Sequence, residues 1–149
     1  MKKNAIPVLA ILGLAAMLAA KPASAQSGVV MTAEIPFEFT VGKTKLPAGK
    51  YAVTMRSPSS GVLLIQDDGW HRSVMTLTDK AYASDTMNES LLVFHRYGDQ
   101  YFLSRVWTSG SDIGCELHKS AAEREISRAY HLAKTDAQVQ TVTIAADRH

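Results

Sequence analysis

The side chains with the most reactive chemistry in this sequence are one cysteine and five histidines. Cys115 and His118 have the C-x-x-H spacing that can supply two metal ligands. A tetrahedral site needs two more ligands, and the chain offers neither a second cysteine nor a close histidine pair. We therefore expect a buried free thiol beside a surface histidine, with no metal and no cofactor. An intermolecular disulfide at Cys115 is the alternative.

A second group of polar side chains lies around the Gly98-Asp99 dipeptide. His95, Arg96 and Tyr97 precede it, so an acid/base group at a hairpin tip is one interpretation. The other is packing, with the histidine against Phe102 and the arginine over an aromatic ring as a cation–π pair. We favour packing, because aspartate is common in turns for conformational reasons alone.

No motif for nucleophilic catalysis or phosphate binding is present. There is no G-x-S-x-G elbow, and the sparse glycines follow no strand-to-helix pattern. We predict a protein that is not an enzyme and has no catalytic residues. Aromatic side chains in β proteins mostly pack in the core, although one or two can line a ligand cleft. The candidate ligand or partner surface is formed by His95, Arg96, Tyr97, Tyr101 and Trp107.

The elements that position these residues follow from an alternation of apolar and polar side chains. Between residues 29 and 41 the odd positions are apolar and most even positions are polar, as in a strand with one face on a core. One continuous strand would span about 43 Å, longer than most strands. Pro36 cannot donate to a ladder, so we expect two shorter strands with a break near residues 34–36.

Turn residues divide the rest of the chain into further strands and loops. Gly42 to Gly49 is predicted as a turn, followed by a strand at 50–56 and an apolar strand at 62–66 that is buried on both faces. Asp68-Gly69 predicts a two-residue turn and a return strand at 70–78, followed by a loop at 79–89. A central hairpin is expected at 90–97 and 100–108, then a loop at 109–112 and a last strand at 139–145, with a frayed end at 147–149.

A two-residue loop at Gly98-Asp99 also predicts the register of the central hairpin. The expected pairs are His95 with Phe102, Arg96 with Tyr101, Phe94 with Leu103, Val93 with Ser104, Leu92 with Arg105 and Leu91 with Val106.

One helix is predicted over residues 121–134. Ser120 with Glu123 three residues later is a capping box, which marks a helix start. The residues expected to face the sheet share one stripe: Ala122, Ile126, Ala129 and Ala133.

Residues 1–25 have the features of a secretory signal peptide. Lys2 and Lys3 precede an uncharged apolar run at 5–20, and Ala23-Ser24-Ala25 has small residues where a signal peptidase reads. The run is shorter than the roughly 20 residues that cross a bilayer. We predict cleavage after Ala25 and a periplasmic or secreted protein with no stable membrane span.

Removal of the leader changes the charge of the protein. Lys+Arg falls from 16 to 13 because Lys2, Lys3 and Lys21 are lost, while Asp+Glu stays at 14 and the net charge becomes −1 rather than +2. A nearly neutral surface gives no reason to expect nucleic acid or an anionic membrane as a partner. Residues 26–149 fit a single domain.

Several blocks resemble small exported bacterial proteins of unknown function. IPFEFTVG at 35–42 and LPAGKY at 46–51 are similar to their I-P-F-x-F-x-V-G…L-P-A-G-x-Y signature. LVFHRYGD at 92–99 resembles their second block, and KSAAERE at 119–125 resembles the start of their closing helix. The resemblance implies a β-rich envelope or secreted protein and brings no catalytic residues.

These patterns together predict a mainly β fold: one antiparallel sandwich or flattened barrel of about eight strands with one C-terminal α-helix. The predicted function is that of an exported, non-catalytic binding or structural module of the bacterial cell envelope, whose specific role and partner the sequence does not identify; an envelope protein is one candidate partner. The alternative is a lipocalin-like carrier of a small apolar ligand. A carrier requires an apolar cavity of at least several hundred Å³. A partner-binding module requires an exposed apolar patch or an unpaired strand edge.

Overall fold

The computed structural model describes residues 28–55, 61–133 and 139–148. The predicted leader at 1–25 lies outside these ranges. Within them, ten strands and one helix follow in this order: β1 (Val29–Ile35), β2 (Phe39–Val41), β3 (Thr44–Leu46), β4 (Gly49–Met55), β5 (Val62–Asp67), β6 (Ser73–Tyr82), β7 (Ser90–Tyr97), β8 (Gln100–Trp107), β9 (Ile113–Leu117), α1 (Ala121–Leu132) and β10 (Gln140–Arg148).

Eight of the strands close into an antiparallel barrel. The ring runs β1-β4-β5-β6-β9-β8-β7-β10, and β10 returns to β1. The short hairpin of β2 and β3 is additional to the ring and joins it where Thr40 of β2 pairs with Phe102 of β8 in parallel. The predicted class, a mainly β antiparallel domain of about eight barrel strands with one C-terminal helix, is confirmed, and the barrel is the form it takes.

The interior of the barrel is filled by the apolar side chains that the alternation marked. β1 ends before Pro36 and β2 begins at Phe39, so the predicted break in the first alternating segment is confirmed. A side chain that lined a water-sized cavity would have accessible surface there. Eight core residues have no accessible surface, which means that they line no such cavity: Met31, Ile35, Val41, Val53, Leu63, Leu92, Phe94 and Val106 are 0% exposed.

A β-bulge in β8 determines which of its side chains face the core. Phe94 pairs with Leu103 and Val93 pairs with Arg105, so Ser104 is an extra residue without a partner on β7. The predicted pairs of Val93 with Ser104, Leu92 with Arg105 and Leu91 with Val106 are therefore wrong. The pairs from Phe94–Leu103 to Arg96–Tyr101 are confirmed. Without the bulge, Arg105 would lie opposite Leu92 and inside the barrel, where a guanidinium without a partner is strongly destabilising.

The buried face of α1 differs from the predicted stripe. Ser120 caps the helix as expected, and its Oγ accepts the Glu123 N–H at 3.1 Å. Ala122, Ala129 and Ala133 are exposed, so the stripe prediction is wrong. Glu123 and Ser127 are the buried residues, because they meet polar partners on the outer face of the barrel.

Strand ends and one turn also differ from expectation. β3 lies inside the predicted 42–49 turn, β6 runs to Tyr82 through part of the predicted 79–89 loop, β9 was not predicted, and β10 continues to Arg148. The end of β6, β9 and β10 pair with strands that are distant in sequence, such as β6 with β9, whereas β3 pairs with the preceding strand β2. The β5–β6 connection is a four-residue loop, closed by a hydrogen bond of 3.0 Å from the Asp67 N–H to the Arg72 carbonyl. The predicted two-residue turn at this position is therefore wrong.

Deletion of Ser104 tests the role of the bulge. The deletion restores regular alternation in β8 and keeps Val106 inside and Arg105 outside. We expect a folded protein whose free energy of unfolding falls by about 1–3 kcal/mol, mainly because His95 loses a hydrogen-bond partner. Chemical denaturation followed by circular dichroism measures the change.

Deletion of Ala52 from the regular strand β4 is the matched control. It moves Val53 and Met55 from the core face to the outer face. We expect no cooperative unfolding transition from this variant. If the two deletions behave alike, Ser104 is not a bulge residue.

Candidate functional site

A group of hydrogen-bonded side chains lies where α1 covers the outer face of β7 and β8. His95 Nδ1 is 2.8 Å from Glu123 Oε1, and His95 Nε2 is 3.1 Å from Ser104 Oγ. The Tyr97 hydroxyl donates to the same carboxylate oxygen at 3.3 Å. The bulge aims Ser104 at the imidazole, and the N-cap at Ser120 fixes the turn that carries Glu123. We call these four residues, His95, Tyr97, Ser104 and Glu123, the histidine cluster.

The protonation pattern of the cluster follows from its geometry. Glu123 is 4% exposed and lies in the first turn of α1, where the helix dipole favours negative charge. An ionised carboxylate can only accept, so His95 Nδ1 carries the proton that is donated to it. In the neutral ring, Nε2 is then an acceptor for the Ser104 hydroxyl.

Ser104, His95 and Glu123 are hydrogen-bonded in the same order as the nucleophile, the general base and the orienting carboxylate of a catalytic triad. Ser104, however, is 4% exposed beneath the helix, and a carbonyl carbon needs an open approach to its Oγ. Two open depressions, of about 480 and 330 Å³, are lined by residues 83–91 and by residues around 88–90 and 145–148, and neither includes Ser104 or His95. Within the cluster, the contacts of Glu123 with His95 and Tyr97 join α1 to the barrel.

Burial changes the titration of Tyr97. Its ring packs edge-to-face against Phe102 and Tyr130, with centroids 5.8 and 5.7 Å away. Desolvation raises the pKa of the Tyr97 phenol above its ordinary 10.0, and the charge of Glu123 adds to the rise. A hydrogen bond with Ser127 and the charge of Lys119 act in the opposite direction.

The five residues of the predicted ligand or partner surface do not share one face. Arg96 lies over the Tyr101 ring at 5.5 Å, which confirms the cation–π pair, and these two alternate with His95 and Tyr97 along the hairpin. Tyr97 is 2% exposed and Trp107 is 8% exposed. Their contact with a ligand or partner stays a prediction, and the half-buried His95, Arg96 and Tyr101 are the more accessible members.

Trp107 is buried because it packs on a glycine. A Cβ added to Gly114 of the neighbouring strand β9 would lie 2.5 Å from Cε3 of the Trp107 ring. Only a residue without a side chain leaves room for the indole at this position.

Cys115 and His118 have separate surroundings. The thiol is free and buried, with Sγ 3.2 Å from Met55 Sδ inside the barrel. His118 is exposed, and its Nε2 is 3.5 Å from Asp79 Oδ2. The prediction of a buried thiol beside a surface histidine is confirmed. Among the described residues, no group of three His, Cys, Asp or Glu side chains converges as metal ligands would.

The outer side of β5 and β6 exposes apolar side chains. Val62 pairs with Leu77, and Leu64 pairs with Met75. Met75 is 66% exposed and Leu77 is 68% exposed. We call these four residues the β5–β6 face. The prediction that both faces of residues 62–66 are buried is therefore wrong, because only Leu63 and Ile65 point into the barrel.

Trp70 projects from the loop at the end of the same hairpin. It is 75% exposed, and its backbone has a φ of 57°. The left-handed conformation costs a non-glycine residue roughly 1–2 kcal/mol. Neither core packing nor backbone preference accounts for a tryptophan at this position.

Sequence reasoning missed Ser104 and Glu123 as partners of His95. A signal existed for the serine: the unbulged register would bury Arg105 opposite Leu92, which indicates an extra residue nearby. No comparable signal pointed to Glu123, since its place in the capping box already explained it.

Comparison with protein-family models, with curated proteins and with solved structures finds no match to this chain. In the described ranges, no helix combines the length and the apolar character needed to cross a bilayer.

Replacement of Tyr97 by phenylalanine tests the titration of the cluster. A raised folded-state pKa means that folding favours the neutral phenol, so this stability is complete below pH 10.0 and is lost as the pH rises through the folded-state value. We expect the free energy of unfolding of the wild type to fall more steeply than that of Tyr97→Phe between pH 8 and pH 11. Chemical denaturation at a series of pH values measures both slopes.

Tyr82→Phe is the matched control, because that phenol is 69% exposed in the folded protein. Its slope is expected to follow the wild type. Parallel curves for wild type and Tyr97→Phe would contradict the assignment.

Proposed function

We propose that this protein is an exported, non-catalytic binding module of the bacterial cell envelope, which binds a partner protein through the β5–β6 face. The observation that carries the proposal is the exposure of Met75 and Leu77 on the outside of a barrel whose interior is already filled. Apolar side chains that serve the fold alone would be expected inside. Contiguous exposed apolar residues are typical of an interaction surface.

The composition of the face supports a protein partner. Its four residues are uncharged, and the adjoining outward residues Thr54, Gln66 and Ser73 are neutral as well, whereas the exposed Asp79 lies two residues beyond Leu77. Depletion of charge at the centre and enrichment of methionine are features of protein–protein interfaces. Methionine is also flexible enough to adapt to the shape of a partner.

The export of the protein is supported by its sequence. A basic start, an apolar run and small residues at the cleavage position favour secretion, and the resemblance to small exported bacterial proteins agrees with that assignment. We infer removal of the leader after Ala25 and a periplasmic or secreted location.

A lipocalin-like carrier is the second candidate, because the closed eight-stranded barrel is the architecture of such carriers. An apolar ligand inside this barrel would have to displace side chains such as Leu63, Leu92 and Phe94, which have no accessible surface. The carrier function therefore requires a rearranged core, whereas partner binding uses the barrel as it stands.

Native mass spectrometry of the protein purified from its own host tests the proposal. We expect the wild type to retain a second polypeptide, and the double variant Met75→Lys/Leu77→Lys to lose at least nine-tenths of it. Two ammonium groups at the centre of an apolar interface would be buried without partners.

Thr143→Lys/Ala145→Lys is the matched control, because it adds the same charges at exposed positions of β10. We expect it to retain the partner. A chain that carries no polypeptide in any variant would contradict the proposal, and a retained small apolar molecule would favour the carrier.

A further inference from the structure

The attachment of α1 to the barrel depends on few apolar contacts. Its two buried residues, Glu123 and Ser127, are polar, and Ile126 and Tyr130 are only half-buried. Burial of apolar surface normally supplies most of the free energy that docks an amphipathic helix. Besides the Tyr130 ring on Tyr97, the contacts that join α1 to the barrel include the hydrogen bonds from His95 and Tyr97 to Glu123.

We propose that His95 and Glu123 form a proton-operated latch. The helix α1 stays docked while Glu123 is ionised, and it detaches from the barrel when acidification protonates that carboxylate. This device is independent of the β5–β6 face and of the binding function proposed for it.

Titration of the imidazole alone does not open the latch. In the neutral ring, Nδ1 donates to Glu123 and Nε2 accepts from the Ser104 hydroxyl, 3.1 Å away. In the imidazolium, Nε2 becomes a donor, and the same hydroxyl can rotate and accept from it. Ser104 therefore satisfies both forms of the ring, while the ion pair with Glu123 becomes stronger in the charged form.

Protonation of Glu123 acts in the opposite way. The carboxyl then loses its charge-assisted bonds from His95 and Tyr97, and the imidazolium is left partly buried without a counter-ion. Loss of one partner from such a pair is strongly destabilising.

The other titratable groups around His95 do not replace Glu123. Tyr97 lies on the same strand and bonds the same carboxylate, and Lys119, before α1, is a cation near Tyr97. Arg105 on β8 is bound to Glu116 at 2.9 Å. Arg96 points to the other side of β7 and donates to the Gly98 carbonyl at 2.7 Å. Glu123 is thus the anion in contact with His95.

Detachment of α1 would uncover an aromatic surface. Tyr97 and Phe102 are 2% and 3% exposed, and Tyr130 of α1 packs edge-to-face on Tyr97. Without the helix, both rings on the barrel would face solvent beside His95 and Ser104. The latch therefore controls access to this aromatic surface of the barrel.

Hydrogen exchange of the full chain between pH 7 and pH 3.5, corrected for the intrinsic effect of pH on exchange, tests the latch. In the wild type, we expect amides of α1 to exchange at least ten-fold faster at pH 3.5 than at pH 7, while amides of β4 remain protected. Unchanged protection of α1 would overturn the proposal. Loss of α1 and β4 protection at the same pH would overturn it too, because it would mean global unfolding.

Glu123→Gln should exchange faster in α1 than the wild type at pH 7 and change less between the two pH values, because its amide oxygen still accepts from His95 and Tyr97 but carries no charge at either pH. Glu125→Gln is the matched control, since it makes the same change on the exposed side of α1 and should follow the wild type. Wild-type protection in the Glu123→Gln variant would overturn the latch. The wild-type series decides the question by itself if that variant does not fold.

Discussion

The fold depends on the alternation that turns apolar side chains of the barrel strands toward the core, and at β8 this alternation requires one extra residue. Ser104 is the unpaired residue before Arg105, and it shifts the register so that Arg105 points outward rather than into the barrel. Val106 therefore lies in the core, and Arg105 binds Glu116 outside. The same bulge brings the Ser104 hydroxyl to His95. The register of the wall and the docking of the C-terminal helix therefore share one local irregularity.

The elements that could be predicted from sequence are those governed by local patterns. The break at Pro36, the turn at Gly98-Asp99 and the start of α1 at Ser120 each follow from the conformational limits of a few adjacent residues. β9 and the end of β6 were not predictable in this way. They are strands because they pair with each other, and Asp79 or Glu116 taken alone favours neither strand nor core.

The helix shows where pattern reasoning fails at the site. Small apolar residues at Ala122, Ile126 and Ala129 define a plausible buried stripe, and period alone prefers it to a face with a glutamate. The barrel surface under α1 is polar and aromatic, however, so Glu123 is the side chain that finds partners there. The sequence of a helix specifies its possible faces, whereas its neighbour determines which face is buried.

Two outer faces of the barrel carry apolar or aromatic side chains, and α1 covers one of them. On β7, the aromatic ring of Tyr97 is buried under Tyr130 of α1. On β5 and β6, no described element covers Met75 and Leu77, although these side chains are no less apolar. The chain therefore covers one of these faces with its own helix, and within the described residues it leaves the other in contact with solvent. The two faces also differ in chemistry: the contact under α1 includes hydrogen bonds from His95 and Tyr97 to one carboxylate, whereas the open face offers apolar side chains alone.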